Sequence, residues 1–166
     1  MHTSYSFCEL NLKDDFDSFF NEIYCEWENA WIRKKEHIGT EFYTIKDNLK
    51  VWKKFYLNSN INLLIFQSTQ KNLGYIGYQI DGDTLIITEL LIKKSERGNG
   101  LGKIILAQFM ELIQESKIKF TKYQLETHDS NFSNKIYLKA GFSTQELILN
   151  DRENNENTII YIKNNF

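Results

Sequence analysis

Hydrophobic positions along the chain follow two different periods. Phe16, Phe19, Phe20, Ile23, Tyr24 and Trp27 recur at helical spacing, with Ala30 and Trp31 continuing the stripe, which predicts an amphipathic helix or helix pair over about 14–35. Ile45, Leu49, Trp52 and Tyr56 predict a second helix that ends at the Asn58-Ser59-Asn60 turn. Beyond that turn the period shortens. Residues 62–67 and 73–80 are β-rich runs, the second carrying Gly74 and Gly77 as points of bending or close backbone approach. Asp81-Gly82-Asp83 is a hairpin turn into a third strand over 84–92, and the three runs read as an antiparallel meander.

A glycine-rich stretch follows, Arg97-Gly98-Asn99-Gly100-Leu101-Gly102, and after it Ile104, Ile105, Leu106, Phe109, Leu112 and Ile113 mark a buried helix. Residues 123–127 form the next strand, and a strand, loop, helix, strand unit predicts a right-handed crossover between parallel strands. A short helix over 133–140 stops at Gly141, and closing strands over 142–149 and 158–163 flank a polar turn. This order of elements predicts a mixed α/β (α+β) fold.

With 166 residues, the expectation is one domain with a core of its own, without metal or disulfide staples. The net charge of −2 argues against a nucleic-acid partner, since neutralising phosphates calls for a strongly basic face. Cys8 and Cys25 form no C-x-x-C and have no histidine cluster beside them, so neither zinc nor another metal is expected. Met1 leads into no basic-then-apolar leader, and no window approaches the ~20 apolar residues of a membrane span. A cytoplasmic protein, off the membrane, is the expectation. The segment before residue 32 carries Glu9, Asp14, Asp15, Asp17, Glu22, Glu26 and Glu28 against Lys13 alone. It is either a solvated helix face or an attractor for a cationic amine.

The glycines lie between a strand and a helix, where backbone N–H groups and a helix N-terminus can converge on an anion; the plainer alternative is a tight turn. A P-loop fails here, because Arg97 occupies its first glycine position and Ile104 follows Lys103 where a hydroxyl is required. A dinucleotide fingerprint also fails, because the glycines run G-x-G-x-G and follow a meander. The remaining pattern, Arg-x-x-Gly-x-Gly at Arg97, Gly100 and Gly102, resembles the pyrophosphate loop of the GNAT N-acetyltransferases. Two further segments strengthen the resemblance. Ile87-Thr88-Glu89-Leu90-Leu91-Ile92 is similar to the family's central strand, and Tyr137-Leu138-Lys139-Ala140-Gly141-Phe142 resembles its Tyr-x-Lys-x-Gly-Phe signature. Lys94 stands where the family often has proline. Ser130 stands seven residues before Tyr137, where the family often has asparagine; Asn131 is the candidate contact one place on.

The resemblance implies a central, mixed but mostly antiparallel twisted sheet flanked by helices, with acetyl-CoA as cosubstrate and no metal. It implies that backbone groups of Leu91 and Ile92 meet the pantetheine arm. Arg97, Gly98, Asn99, Gly100, Leu101, Gly102 and Lys103 would hold the pyrophosphate, with Lys139 as a further phosphate contact. Acyl transfer to an amine needs a neutral amine, a stabilised oxyanion and a proton for the departing thiolate. Tyr137 matches the family's general acid, against packing alone. Glu89 is the candidate base, against an exposed strand carboxylate, and His128 is the competing base. The implied reaction is direct transfer from acetyl-CoA to a primary amine of a small molecule, in a monomer or homodimer. A peptide amine, a non-catalytic acyl-CoA sensor and a nucleotide-binding regulator are the alternatives.

Overall fold

The computed structural model describes residues 4–11, 16–17, 19–21, 54, 56–69, 71–128, 133–149 and 157–165. Among the described residues seven strands form one sheet: β1 (Tyr5–Glu9), β2 (Asn62–Ser68), β3 (Asn72–Asp81), β4 (Thr84–Ile92), β5 (Lys122–His128), β6 (Ser143–Ile148) and β7 (Thr158–Asn164). Two helices, α1 (Leu101–Glu115) and α2 (Asn134–Lys139), follow β4 and β5. The sheet order is β1-β2-β3-β4-β5-β7-β6. The β4–β5 pair is parallel and the other five pairs are antiparallel, which is the mixed, mostly antiparallel sheet the resemblance implies.

The predicted strands and the two later helices form within a residue or two of their expected ends, apart from the glycine-loop helix, which begins earlier at Leu101. Strand β1 was not predicted; its Tyr5 and Phe7 pack against Phe66 of β2, with ring centroids 5.3 and 5.4 Å away. The predicted helix over 14–35 lies mostly outside the described residues, but Phe16, Asp17, Phe19, Phe20 and Asn21 are helical. So are Lys54 and Tyr56–Asn58 of the second predicted helix.

The sheet separates two apolar cores. On one face Ile105, Leu106, Phe109 and Ile113 of α1 pack with Phe66, Ile76, Leu85, Tyr123, Leu125 and Tyr137. Leu112, which the sequence pattern put on this buried stripe, lies on its flank in the last turn of α1 and is 41% exposed. On the other face Phe16, Phe19, Phe20 and Tyr56 pack with Leu63 and Tyr75. Both faces of β2 are covered, so Leu63 and Leu64 enter opposite cores.

Candidate active site

Parallel pairing between β4 and β5 begins at Thr84↔Lys122 and ends at Ile87↔Leu125. Both strands continue past that point, to Ile92 and His128, so their C-terminal ends diverge and open the sheet there. A ligand crevice is expected outside the C-terminal ends of parallel strands. The glycine loop leaves the end of β4, and α2 is the next helix after the end of β5.

A bulge in β4 decides what faces this opening. The β3–β4 register steps from Gly77↔Glu89 to Tyr78↔Ile87, so Thr88 is an extra residue and Thr88 and Glu89 together oppose Gly77. Strict alternation would have put Leu85, Ile87, Glu89 and Leu91 on one face. With the bulge, Leu85 and Ile87 enter the core under α1, and Leu91 packs against the aromatic core on the other side. Glu89 shares that second side. Gly77 makes the arrangement possible, because a Cβ there would stand 2.8 Å from Thr88 Oγ1 and 3.1 Å from Glu89 Cβ. Thr88 Oγ1 is buried with no hydrogen-bond partner. An unmet buried hydroxyl costs about 1–3 kcal/mol, and such departures concentrate where a chain is built for function.

Glu89 is half-buried and accepts a hydrogen bond at Oε1 from the Tyr56 hydroxyl, 2.9 Å away. Burial pushes its carboxyl from the ordinary 4.5 up to about 7, with the Tyr56 bond working in the opposite direction. A carboxyl poised near 7 is suited to exchanging protons at neutral pH.

The loop has a defined conformation. Gly98 and Gly100 have φ of +86° and +74°, and the space a Cβ would occupy at either is open. Gly100 is the N-cap of α1 and its carbonyl accepts from Lys103 N–H at 3.1 Å and Ile104 N–H at 3.4 Å. The N–H groups of Leu101 and Gly102, which lead the helix, have no intrahelical acceptor, and no acidic residue lies in the first turn. An anion fits such an end. Gly102 also has a packing reason, since its Cβ would stand 3.0 Å from Ile136 Cδ1 on α2. Arg97 Nε donates to the Ile92 carbonyl at 2.9 Å, and Lys71 Nζ meets Glu96 Oε1 at 2.8 Å; together they pin the approach to the loop against the sheet. Lys103 and Asn99 are exposed beside it.

Tyr137 sits in α2 with its ring in the core, 5.7 Å from Tyr161 and 6.4 Å from Phe142. The helix closes in a Schellman turn: Phe142 N–H donates to the Tyr137 carbonyl at 3.1 Å, Gly141 N–H donates to Leu138 at 3.1 Å, and Gly141 has φ of +87°. The spacing from Tyr137 through Gly141 to Phe142 is the requirement of that cap, which fixes where the phenol stands. Burial pushes its hydroxyl up to about 12, against a hydrogen bond with Ser133. Lys163 Nζ donates to the Ala140 carbonyl at 2.7 Å and completes the helix end. Lys139 is exposed on the same helix. His128 is the last residue of β5 and pairs with Thr158. Asn131 lies outside the described residues.

The diverging end of β4 therefore carries a half-buried carboxyl raised by burial, and the loop that follows it leads into a helix start without acidic residues in its first turn. The family model for the acetyltransferase (GNAT) domain matches residues 28–159. The chain belongs to that family and is an acetyltransferase, and the family uses acetyl-CoA. No protein of curated function matches it by sequence. An aminoglycoside 6′-N-acetyltransferase complexed with coenzyme A shares the fold at 13% identity, with 96% of each chain covered and a TM-score of 0.70. A spermidine N-acetyltransferase from Vibrio cholerae does so at 10% identity, over 96% of this chain and 93% of that one, with a TM-score of 0.69. For the ribosomal-protein-S18-alanine N-acetyltransferase from Escherichia coli the values are 13%, 97%, 94% and 0.64. No helix among the described residues is long and apolar enough to cross a membrane.

Proposed function

We propose that this chain transfers the acetyl group of acetyl-CoA to a primary amine of a small molecule, by direct attack within a ternary complex. Glu89 carries the reading, as a half-buried carboxyl on the diverging part of β4, on the aromatic-core side of the sheet, with its proton equilibrium moved to about 7. At neutral pH about half of it is ionised and above that most of it; in that form it draws in an alkylammonium and takes the proton that the amine must lose before attack.

Acetyl-CoA supplies an activated acetyl thioester. The backbone N–H groups of Gly98, Asn99, Gly100, Leu101, Gly102 and Lys103 hold its pyrophosphate at the start of α1, with the Arg97 and Lys103 charges beside it. The open space at Gly98 and Gly100 and the uncountered N-terminus of α1 support that fit. Backbone groups of Leu91 and Ile92, at the diverging end of β4, orient the pantetheine arm. Asn131 is a further cofactor contact in this scheme. Tyr137 donates a hydrogen bond to the departing thiolate. With the phenol near 12 and an alkyl thiol near ~8.5, the proton stays mostly on oxygen, so Tyr137 stabilises the thiolate as a donor more than it protonates it.

The acidic balance before residue 32 supports a cationic acceptor. Two of the similar structures act on spermidine and on an aminoglycoside, by their names. The test is release of free CoA from acetyl-CoA with spermidine, an aminoglycoside and an alanyl peptide in parallel. We expect release with a small polyamine or aminoglycoside, and a loss of roughly 100-fold or more in Glu89→Gln. Release with the peptide alone would move the acceptor to a protein amine. Binding of acetyl-CoA without release for any amine would make the chain a sensor.

A further inference from the structure

We infer that Tyr56 is the positioning residue for the Glu89 base: its hydroxyl holds Oε1 and leaves Oε2 to take the acceptor's proton. This rests on the reading of Glu89 as the base. Tyr56 comes from the helical stretch before β2, on the side of the sheet that carries the aromatic core, and reaches across 33 residues of sequence to the bulged part of β4. Its ring is 1% exposed and is gripped by Phe16 at 5.9 Å and Phe19 at 5.8 Å. Ser59 Oγ donates to its backbone carbonyl at 2.9 Å, which fixes the end of that helical stretch. The hydroxyl is thus delivered by packing that does not depend on Glu89.

The alternative for a Tyr at this place is packing alone, with the hydroxyl meeting whatever lies nearest. Geometry argues against it. A purely apolar site would take Phe, as its neighbours Phe16 and Phe19 do, and would leave the half-buried Glu89 without a donor. Among the described residues, Tyr56 is the titratable group that meets the Glu89 carboxyl; Gly77 opposite and Thr88 alongside carry no charge. Burial and the nearby Glu89 both push the Tyr56 phenol above its ordinary range, so it remains protonated wherever Glu89 titrates. With Glu89 ionised, the hydrogen bond therefore runs from phenol to carboxylate. It favours the charged form of Glu89 and offsets part of the effect of burial.

Tyr56→Phe keeps the ring and removes the hydroxyl. Two quantities are read in wild type, Tyr56→Phe and Glu89→Gln: the pH dependence of kcat/KM for acetyl-CoA-dependent amine acetylation, and the Glu89 carboxyl titration by ¹³C NMR, assigned by its loss in Glu89→Gln. Losing a donor to a charged group moves the titration and the acidic limb of kcat/KM upward together by about one pH unit. The affinity for acetyl-CoA stays unchanged. An unmoved titration in folded Tyr56→Phe, or a moved titration with an unmoved limb, overturns the positioning role while Glu89 remains the base. If Glu89→Gln retains turnover, the base assignment itself fails and the positioning role falls with it. If Tyr56 only packs, Tyr56→Phe keeps that packing and leaves both pH readings in place.

Discussion

Replacing Glu89 by Gln should make the protein more stable at alkaline pH while removing its activity. The wild-type carboxyl titrates near 4.5 in the unfolded chain and near 7 in the folded one, because burial disfavours its charge. Below pH 4.5 it is protonated in both states and contributes nothing. Between 4.5 and 7 the unfolded chain releases the proton and the folded chain keeps it, so stability falls as pH rises; above 7 the penalty is constant. At about 1.4 kcal/mol per pH unit the gap amounts to about 3.5 kcal/mol. Partial solvent access through the open end of the sheet lowers this, and about 1.5–3 kcal/mol is the working expectation. Gln keeps an acceptor for Tyr56 and carries no charge, so it escapes the penalty. For a chain of this length the difference corresponds to a thermal midpoint higher by roughly 3–12 °C in Glu89→Gln at pH 8.5. Thermal melts of both proteins at pH 4.5, 6 and 8.5, followed by circular dichroism, read it directly. A difference that is the same at all three pH values, or a less stable Glu89→Gln at pH 8.5, would mean that burial does not penalise the Glu89 charge.

Other substitutions separate the parts of the site. Tyr137→Phe should leave acetyl-CoA affinity intact and lower kcat by roughly 10- to 100-fold, the worth of a hydrogen bond to a charged atom, as measured by steady-state kinetics. Gly77→Ala places a methyl against Thr88, Leu63 and Glu89; kcat should fall while a CoA titration by calorimetry stays near wild type. Gly100→Ala must hold a left-handed φ of +74° and should cost about 1–2 kcal/mol in chemical denaturation, with weaker CoA binding as well.

Segments whose residues answer to local rules were legible in the sequence. Gly98, Gly100 and Gly102 marked a loop between a strand and a helix, and Gly141 marked the end of the short helix, which closes as a Schellman cap. The meander followed from alternation and from the Asp81-Gly82-Asp83 turn. What local pattern could not supply was pairing at a distance. Strand β1 has five residues and acquires its place from Phe66. Strand β7 enters between β5 and β6, a choice that no neighbouring residue dictates. The bulge at Thr88 reverses the face that alternation assigns to Glu89, and only Gly77 across the strand hinted at room for it. Tyr56 looked like one more member of an apolar stripe; its hydroxyl was the sole signal, and its partner lay in another element.

If the opening beside the glycine loop is an acetyl-CoA site, coenzyme binding there stabilises the folded chain. The thermal midpoint of the wild-type protein is measured alone and with acetyl-CoA, CoA or NAD, each at about 100 times the acetyl-CoA dissociation constant. Binding to the folded state alone contributes about 2.7 kcal/mol there, a rise of roughly 5–11 °C. That rise is expected with acetyl-CoA and with CoA and none with NAD; a folded protein whose midpoint neither coenzyme form moves would rule out the acetyl-CoA site and leave the glycine loop as a turn.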